Sequence, residues 1–141
     1  MQFDLMSSIM GFLLGTATGA AGKYYADKYT DIRIRAESAK ARKRQFLSIK
    51  EQMPELIAEF KNDLSTEANR LLREFFVLPD HHVYLGGSEK PRLVYYEDGH
   101  ENLRCKIDLL ETHGFLEDVT PSNTPIYKMT EEFVELVIKY G

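Results

Sequence analysis

Four histidines, one cysteine and two short turns hold the side chains of this sequence that could do chemistry. His81 and His82 are adjacent, and neighbours in an extended strand point to opposite faces, which is poor geometry for chelating one metal. With His100 and His113 they read as loop or surface histidines. Cys105 falls on the apolar side of a helical stretch, where an inert buried thiol is expected. As the only cysteine it excludes an internal disulfide, in keeping with a reducing compartment. Glu97-Asp98-Gly99 reads as a turn rich in acceptors without the ligand spacing of a calcium loop. Gly86-Gly87-Ser88 is not followed by the Lys-Ser/Thr pair of a phosphate cradle. No catalytic constellation survives. No catalytic residue, cofactor or metal is expected, and the chain is expected not to be an enzyme.

The elements around these residues divide by charge. Residues 23–50 carry nine basic residues against three acidic ones, a balance of +6, whereas residues 51–141 carry nine against eighteen, a balance of −9. A basic segment seeks a polyanionic neighbour, and the acidic remainder is a poor ligand for nucleic acid, whose phosphates supply most of the binding energy. Nucleic acid is therefore an unlikely partner.

Ahead of the basic segment, eighteen residues from Leu5 to Gly22 carry no charge. As a helix they would span roughly 27 Å, close to the thickness of a hydrocarbon core. Residues 1–22 are thus expected to form a transmembrane anchor. The positive charge C-terminal to it predicts a single-pass protein of an inner or plasma membrane, with the N-terminus outside and residues 23–141 in the cytoplasm. Lys23, Tyr24, Tyr25 and Tyr29 would lie at the membrane interface. Ser7, Gly11, Gly15 and Gly19 recur every four residues, a glycine zipper that lets helices approach closely in lipid, and homo-oligomerisation through the anchor helix is expected. A second register links Ser8, Gly11, Gly15, Thr18, Gly22, Tyr25, Tyr29, Ile32, Ala36 and Ala39, then Phe46 and Met53, in steps of three and four interrupted by Lys43 and Lys50. This is the period of a left-handed coiled coil and predicts a basic juxtamembrane helix or stalk over 23–53.

Residues 54–141 read as one small α+β cytoplasmic domain. Pro54 opens a helix whose apolar spacing runs through Leu56, Ile57, Phe60 and Leu64 to Phe75 and Phe76, with Ser65-Thr66 as a soft interruption and Pro79 as a stop. His82–Leu85 is expected as a strand entering a Gly86-Gly87 turn. Leu93–Tyr96 fits a strand or part of a helix. A helix follows over about 101–113, with Gly114 at its C′ position. Strands at 115–119 and 126–129 flank the loop Pro121–Pro125, and Thr130 caps a last helix.

The run LRCKIDLLETHGFLEDVTPSNTPIYKMTEEFVELV resembles the second half of a winged-helix domain, with a helix, a glycine-aromatic strand start, a wing and a return strand. The usual second helix would have to fit between Leu85 and Glu101. The resemblance implies a winged-helix-like fold for residues 55–141, behind a transmembrane helix and its stalk. The layout is also similar to that of phage superinfection-exclusion membrane proteins. The would-be recognition helix and wing are poor in Lys and Arg, which favours a protein ligand over DNA. Tyr84, Tyr95, Tyr96 and Tyr127 exceed the needs of a small core and are the expected partner-binding anchors. Together these readings predict a membrane-anchored, self-associating adaptor that binds an unknown cytoplasmic protein. The alternatives are a membrane-disturbing effector of a phage-exclusion or defence system, and a membrane-tethered transcription regulator.

Overall fold

A computed structural model describes the backbone of residues 3–82 and 90–141, and the side chains of residues 19, 21–82 and 90–141. The chain forms two compact units, Met1–Lys43 and Arg44–Gly141.

The first unit lies within one long helix, α1, spanning Phe3–Gln52. Between Lys23 and Lys43 there is neither Gly nor Pro, and Ala, Lys, Arg and Glu recur, so nothing local interrupts the helix. Thr30 and Ser38 satisfy their hydroxyls on the helix itself, donating to the Ala26 and Arg35 carbonyls at 2.8 and 2.9 Å.

Among the described residues no helix is long and apolar enough to cross a membrane. This overturns the expected transmembrane anchor. Apolar bulk ends at Leu14; Thr16 to Gly22 is small and weakly hydrophobic, and charge begins at Lys23. The single-pass topology, the external N-terminus and the membrane-interface role of Lys23, Tyr24, Tyr25 and Tyr29 rested on that span and fall with it. Homo-oligomerisation through an anchor helix falls as well. The side-chain surroundings of Ser7, Gly11 and Gly15 lie outside the described residues. Gly19 is exposed, and a Cβ built there would meet nothing within 4 Å, so no described part of this chain packs against it.

The second unit begins ten residues before Pro54, because the end of α1 supplies core side chains: Phe46, Ile49 and Met53 are buried. Its remaining elements are α2 (Pro54–Ser65), β1 (Glu74–Leu78), β2 (Leu93–Tyr96), one 3-10 turn at Glu97–Gly99, α3 (Leu103–Thr112), β3 (Leu116–Asp118), β4 (Ile126–Met129) and α4 (Glu131–Tyr140). Pro54 stands in the first turn of α2. The four strands form one sheet in the order β2-β1-β4-β3. β1 runs parallel to β2, with Phe75 opposite Leu93 and Val77 opposite Tyr95, and antiparallel to β4. β3 and β4 form an antiparallel hairpin that pairs Leu116 with Met129.

One face of the sheet carries Phe75, Val77, Leu93, Tyr95, Leu116 and Met129 into the main core, where they meet Phe60 of α2, Ile107 of α3 and Phe133 of α4. Aromatic rings organise this core edge to face: Phe60 lies 5.5 Å from both Phe75 and Phe133, and Phe46 lies 6.1 Å from both Phe115 and Phe133. Phe76, Leu78 and Ile126 form a smaller cluster on the other face, with the Arg92 guanidinium over the Phe76 ring at 5.3 Å.

Local signals position the ends of the elements. Gly114 adopts φ +71, and the Phe115 amide returns to the Leu110 carbonyl at 2.9 Å, closing α3 with the left-handed cap that glycine favours. The Thr130 hydroxyl accepts from the Phe133 amide at 3.2 Å and caps α4. Lys50 and Lys61 donate to the carbonyls of Tyr140 and Gly141 at 2.6 and 2.9 Å, placing positive charge at the C-terminal end of α4.

The α+β class holds, but the winged-helix reading does not. Phe75 and Phe76, expected to extend a helix, are instead the start of a central strand. Their helical spacing loses to pairing on both sides, with β2 and with β4. Leu93–Tyr96 resolves to a strand, parallel to β1, so the sheet has four strands and a crossover. Among the described residues between Leu85 and Glu101 the only helical turn is Glu97–Gly99, so the second helix of a winged-helix domain is missing there. The expected strand and turn over 82–87 lie largely outside the described residues; His81 and His82 themselves sit in a turn.

Candidate functional site

The chemistry-capable side chains of the second unit are engaged in separate local contacts. His81 stacks on Tyr96 with ring centroids 3.7 Å apart and pairs with Asp98 at 3.1 Å. His113 is within hydrogen-bond distance of Gln45 at 2.6 Å. His100 was expected at the surface, yet its side chain is nine-tenths buried, with Nε2 2.5 Å from Glu59 of α2. Its Nδ1 has no hydrogen-bond partner among the described residues. Cys105, expected to be buried, is exposed on α3. Among the described residues no group of three or more His, Cys, Asp or Glu side chains is placed to hold a metal ion.

The tyrosines expected to bind a partner are divided by the fold. Tyr95 is fully buried. Its ring lies 4.7 Å from Phe60, and its hydroxyl donates to Asp63 Oδ2 at 2.9 Å. Burial, then the Asp63 carboxylate, pushes its ionisation well above the ordinary phenol range. It is a core residue. Its place between α2 and β1 depends on a strand pairing that periodicity leaves open. Tyr127 is half-buried and stacked on Phe75 at 5.7 Å, and Tyr96 is half-buried beneath His81. Tyr84 lies outside the described residues.

The first unit presents the opposite arrangement. Every described side chain from Gly19 to Ala41 is exposed. Tyr25, Tyr29 and Ile32 remain 58%, 69% and 54% accessible, respectively. Their spacing of four and three residues places them on one line along α1, continued by Ala36 and Ala39. In heptad terms this line occupies the a and d positions. The flanking e and g positions hold Lys28, Arg33, Arg35 and Lys40, whereas Asp27, Asp31 and Glu37 fall on the outer positions. Arg33 reaches Glu37 one turn along at 3.7 Å, with both side chains largely in water. Tyr24 packs edge to face on Tyr25 at 5.8 Å. It helps to line a shallow groove with Asp27, Lys28, Asp31, Ile32 and Arg35.

Sequence reasoning found this line as the coiled-coil register but carried it on to Phe46 and Met53 as one seam. Those two residues belong to the core of the second unit instead. The chain itself buries them there, whereas the portion from Tyr25 to Ala39 is exposed.

No protein-family model, curated protein or solved structure matches this chain. The resemblances to winged-helix domains and to phage superinfection-exclusion membrane proteins are therefore not sustained. Without a spanning helix among the described residues, the membrane-anchored adaptor, the membrane-disturbing effector and the membrane-tethered regulator are set aside together.

Proposed function

We propose that this protein is a binding protein without catalytic activity, whose α1 segment from Tyr25 to Ala39 docks against a helix of another molecule. The observation that carries this reading is the exposed Tyr25-Tyr29-Ile32 line, continuous with an apolar register that is buried farther along the same helix. An isolated helix is marginal in water and gains most of its stability by packing one face. Burying three side chains that are more than half exposed would contribute about 1–2 kcal/mol each. Tyrosine also brings large, stiff contact area at low entropic cost. The separate engagement of His81, His100 and His113, each with a different neighbour, gives no support to a reaction centre.

The reading is tested by replacing Tyr29 with a photo-crosslinking phenylalanine analogue in the full chain, expressed in cells. A parallel chain carries the analogue at Asp31 on the outer face. Mass spectrometry of the adducts should show a defined attachment at position 29 and none at position 31. Equal labelling at both positions, or none at either, would remove the docking face.

A further inference from the structure

The docking face has a charge code that selects its occupant. Along the Tyr25–Ala39 line, the e positions carry Arg33 and Lys40 and the g positions carry Lys28 and Arg35, with no acidic residue at either set. In a parallel pair of identical helices, each g residue faces the next e residue of its partner. Lys28 would then meet Arg33, and Arg35 would meet Lys40. In an antiparallel pair e faces e and g faces g, so cation again faces cation. Like charges across a seam oppose pairing, and such flanks set partner choice in two-stranded coiled coils. The acidic residues nearby, Asp27, Asp31 and Glu37, stand on outer positions; Glu37 reaches Arg33 at 3.7 Å, but with both side chains largely in water that pair offsets little of the repulsion.

We infer that the occupant of this face is an acidic amphipathic helix of a different protein, apolar along its a and d positions with Asp or Glu flanking them, and not a second copy of this chain. The inference rests on the docking reading above and adds the chemistry of the partner. Exposed cations flanking an apolar line allow both terms to act together: burial of Tyr25, Tyr29 and Ile32, and pairing of four cations with carboxylates at the rim. The rim pairs set selection and salt sensitivity more than total affinity. Alanines at 36 and 39 leave room for larger side chains on the partner at those levels.

The test titrates the full chain with two synthetic four-heptad peptides, identical at a and d and carrying Glu or Lys at all e and g positions. Fluorescence anisotropy should show binding of the Glu peptide alone, weakening roughly tenfold between low and moderate salt as screening sets in. Joint substitution Lys28→Glu, Arg33→Glu, Arg35→Glu and Lys40→Glu should reverse the preference to the Lys peptide. A second variant with Gln at the four positions should lose the preference. Equal binding of both peptides would overturn the inference, as would a stable homodimer in sedimentation that forms through Tyr29, or preferential binding of a nucleic-acid oligonucleotide. The crosslinking experiment separates the two readings: a defined adduct at position 29 to a non-acidic helix, or to a second copy of the chain, leaves docking standing and removes only the acidic partner, whereas equal labelling at positions 29 and 31, or none, removes docking itself.

Discussion

Tyr25 and Phe46 lie on the same three-four register of the same helix and have opposite fates. Phe46 is fully buried, edge to face with Phe115 and Phe133, whereas Tyr25 is more than half exposed. The apolar spacing is alike in both regions; what differs is whether the chain folds back to cover it. Around Phe46 the chain supplies a sheet and three further helices, and around Tyr25 no such neighbour exists among the described residues. An amphipathic line therefore states that a surface is to be buried without stating by what.

The sharpest way to break this comparison is to cut the two ends of the register separately. Phe46→Ala should destabilise the second unit by about 3–5 kcal/mol, the cost of an aromatic cavity in a packed core. Tyr25→Ala with Ile32→Ala should leave its unfolding free energy, read by urea titration, within the range of about 0.5 kcal/mol expected for surface changes. If the two variants unfold alike, the division between a covered and an uncovered region is wrong.

The contrast between buried and exposed tyrosines predicts an alkaline signature. Tyr95 ionises in the unfolded chain near the ordinary value of about 10, while the folded protein holds it protonated to higher pH. Its folded value is raised, so its contribution is fully present below pH 10 and is lost as pH climbs above that point. The slope of that loss is about 1.4 kcal/mol per pH unit. Tyr95→Phe should cost about 1 kcal/mol near neutrality, through the lost hydrogen bond to Asp63. It should also flatten the alkaline decline, as read by urea denaturation at a series of pH values. Tyr29→Phe, on the exposed face, should change neither quantity. An unaltered alkaline slope in Tyr95→Phe would remove Tyr95 from the core.

A smaller effect separates backbone from side-chain causes within the second unit. Gly114→Ala places a Cβ at φ +71, where nothing within 4 Å obstructs it, so its cost is conformational alone, about 1 kcal/mol. Thermal unfolding should report a loss of that order. The smallest effect is expected at Glu131, whose carboxyl is held below the ordinary range chiefly by its hydrogen bond from Arg73. A depressed folded value means a contribution present above the ordinary carboxylate pKa and lost as pH falls through the lowered one. Glu131→Gln should therefore change little at neutral pH and slightly reduce the acid sensitivity of unfolding.

Legibility in the sequence followed locality. Pro54 at the start of α2, Gly114 after α3 and Thr130 before α4 act on neighbours a few residues away, and each was readable from residue type and position. The hairpin of β3 and β4 was readable for the same reason. Phe75 and Phe76 were misread because their helical spacing with Leu71 and Leu72 is real, and strand pairing across the sheet overrides it. Tyr95 was misplaced for a related reason, since its burial depends on Phe60 and Asp63, which lie more than thirty residues earlier in the chain. His100 likewise reaches Glu59, a partner that spacing does not reveal.

By itself the sequence determined the start of α2, the end of α3 and the start of α4, the α+β composition, the charge divide near residue 50 and the three-four apolar line along α1. These depend on backbone propensity and side-chain period, which act over a few residues. Tertiary structure alone decided that β1 and β2 run parallel, that Tyr95 is core while Tyr25 and Tyr29 are not, and that the register is covered at Phe46 and open at Tyr29. Those outcomes rest on contacts between distant segments, and burial belongs to the pair that meets, not to either residue alone.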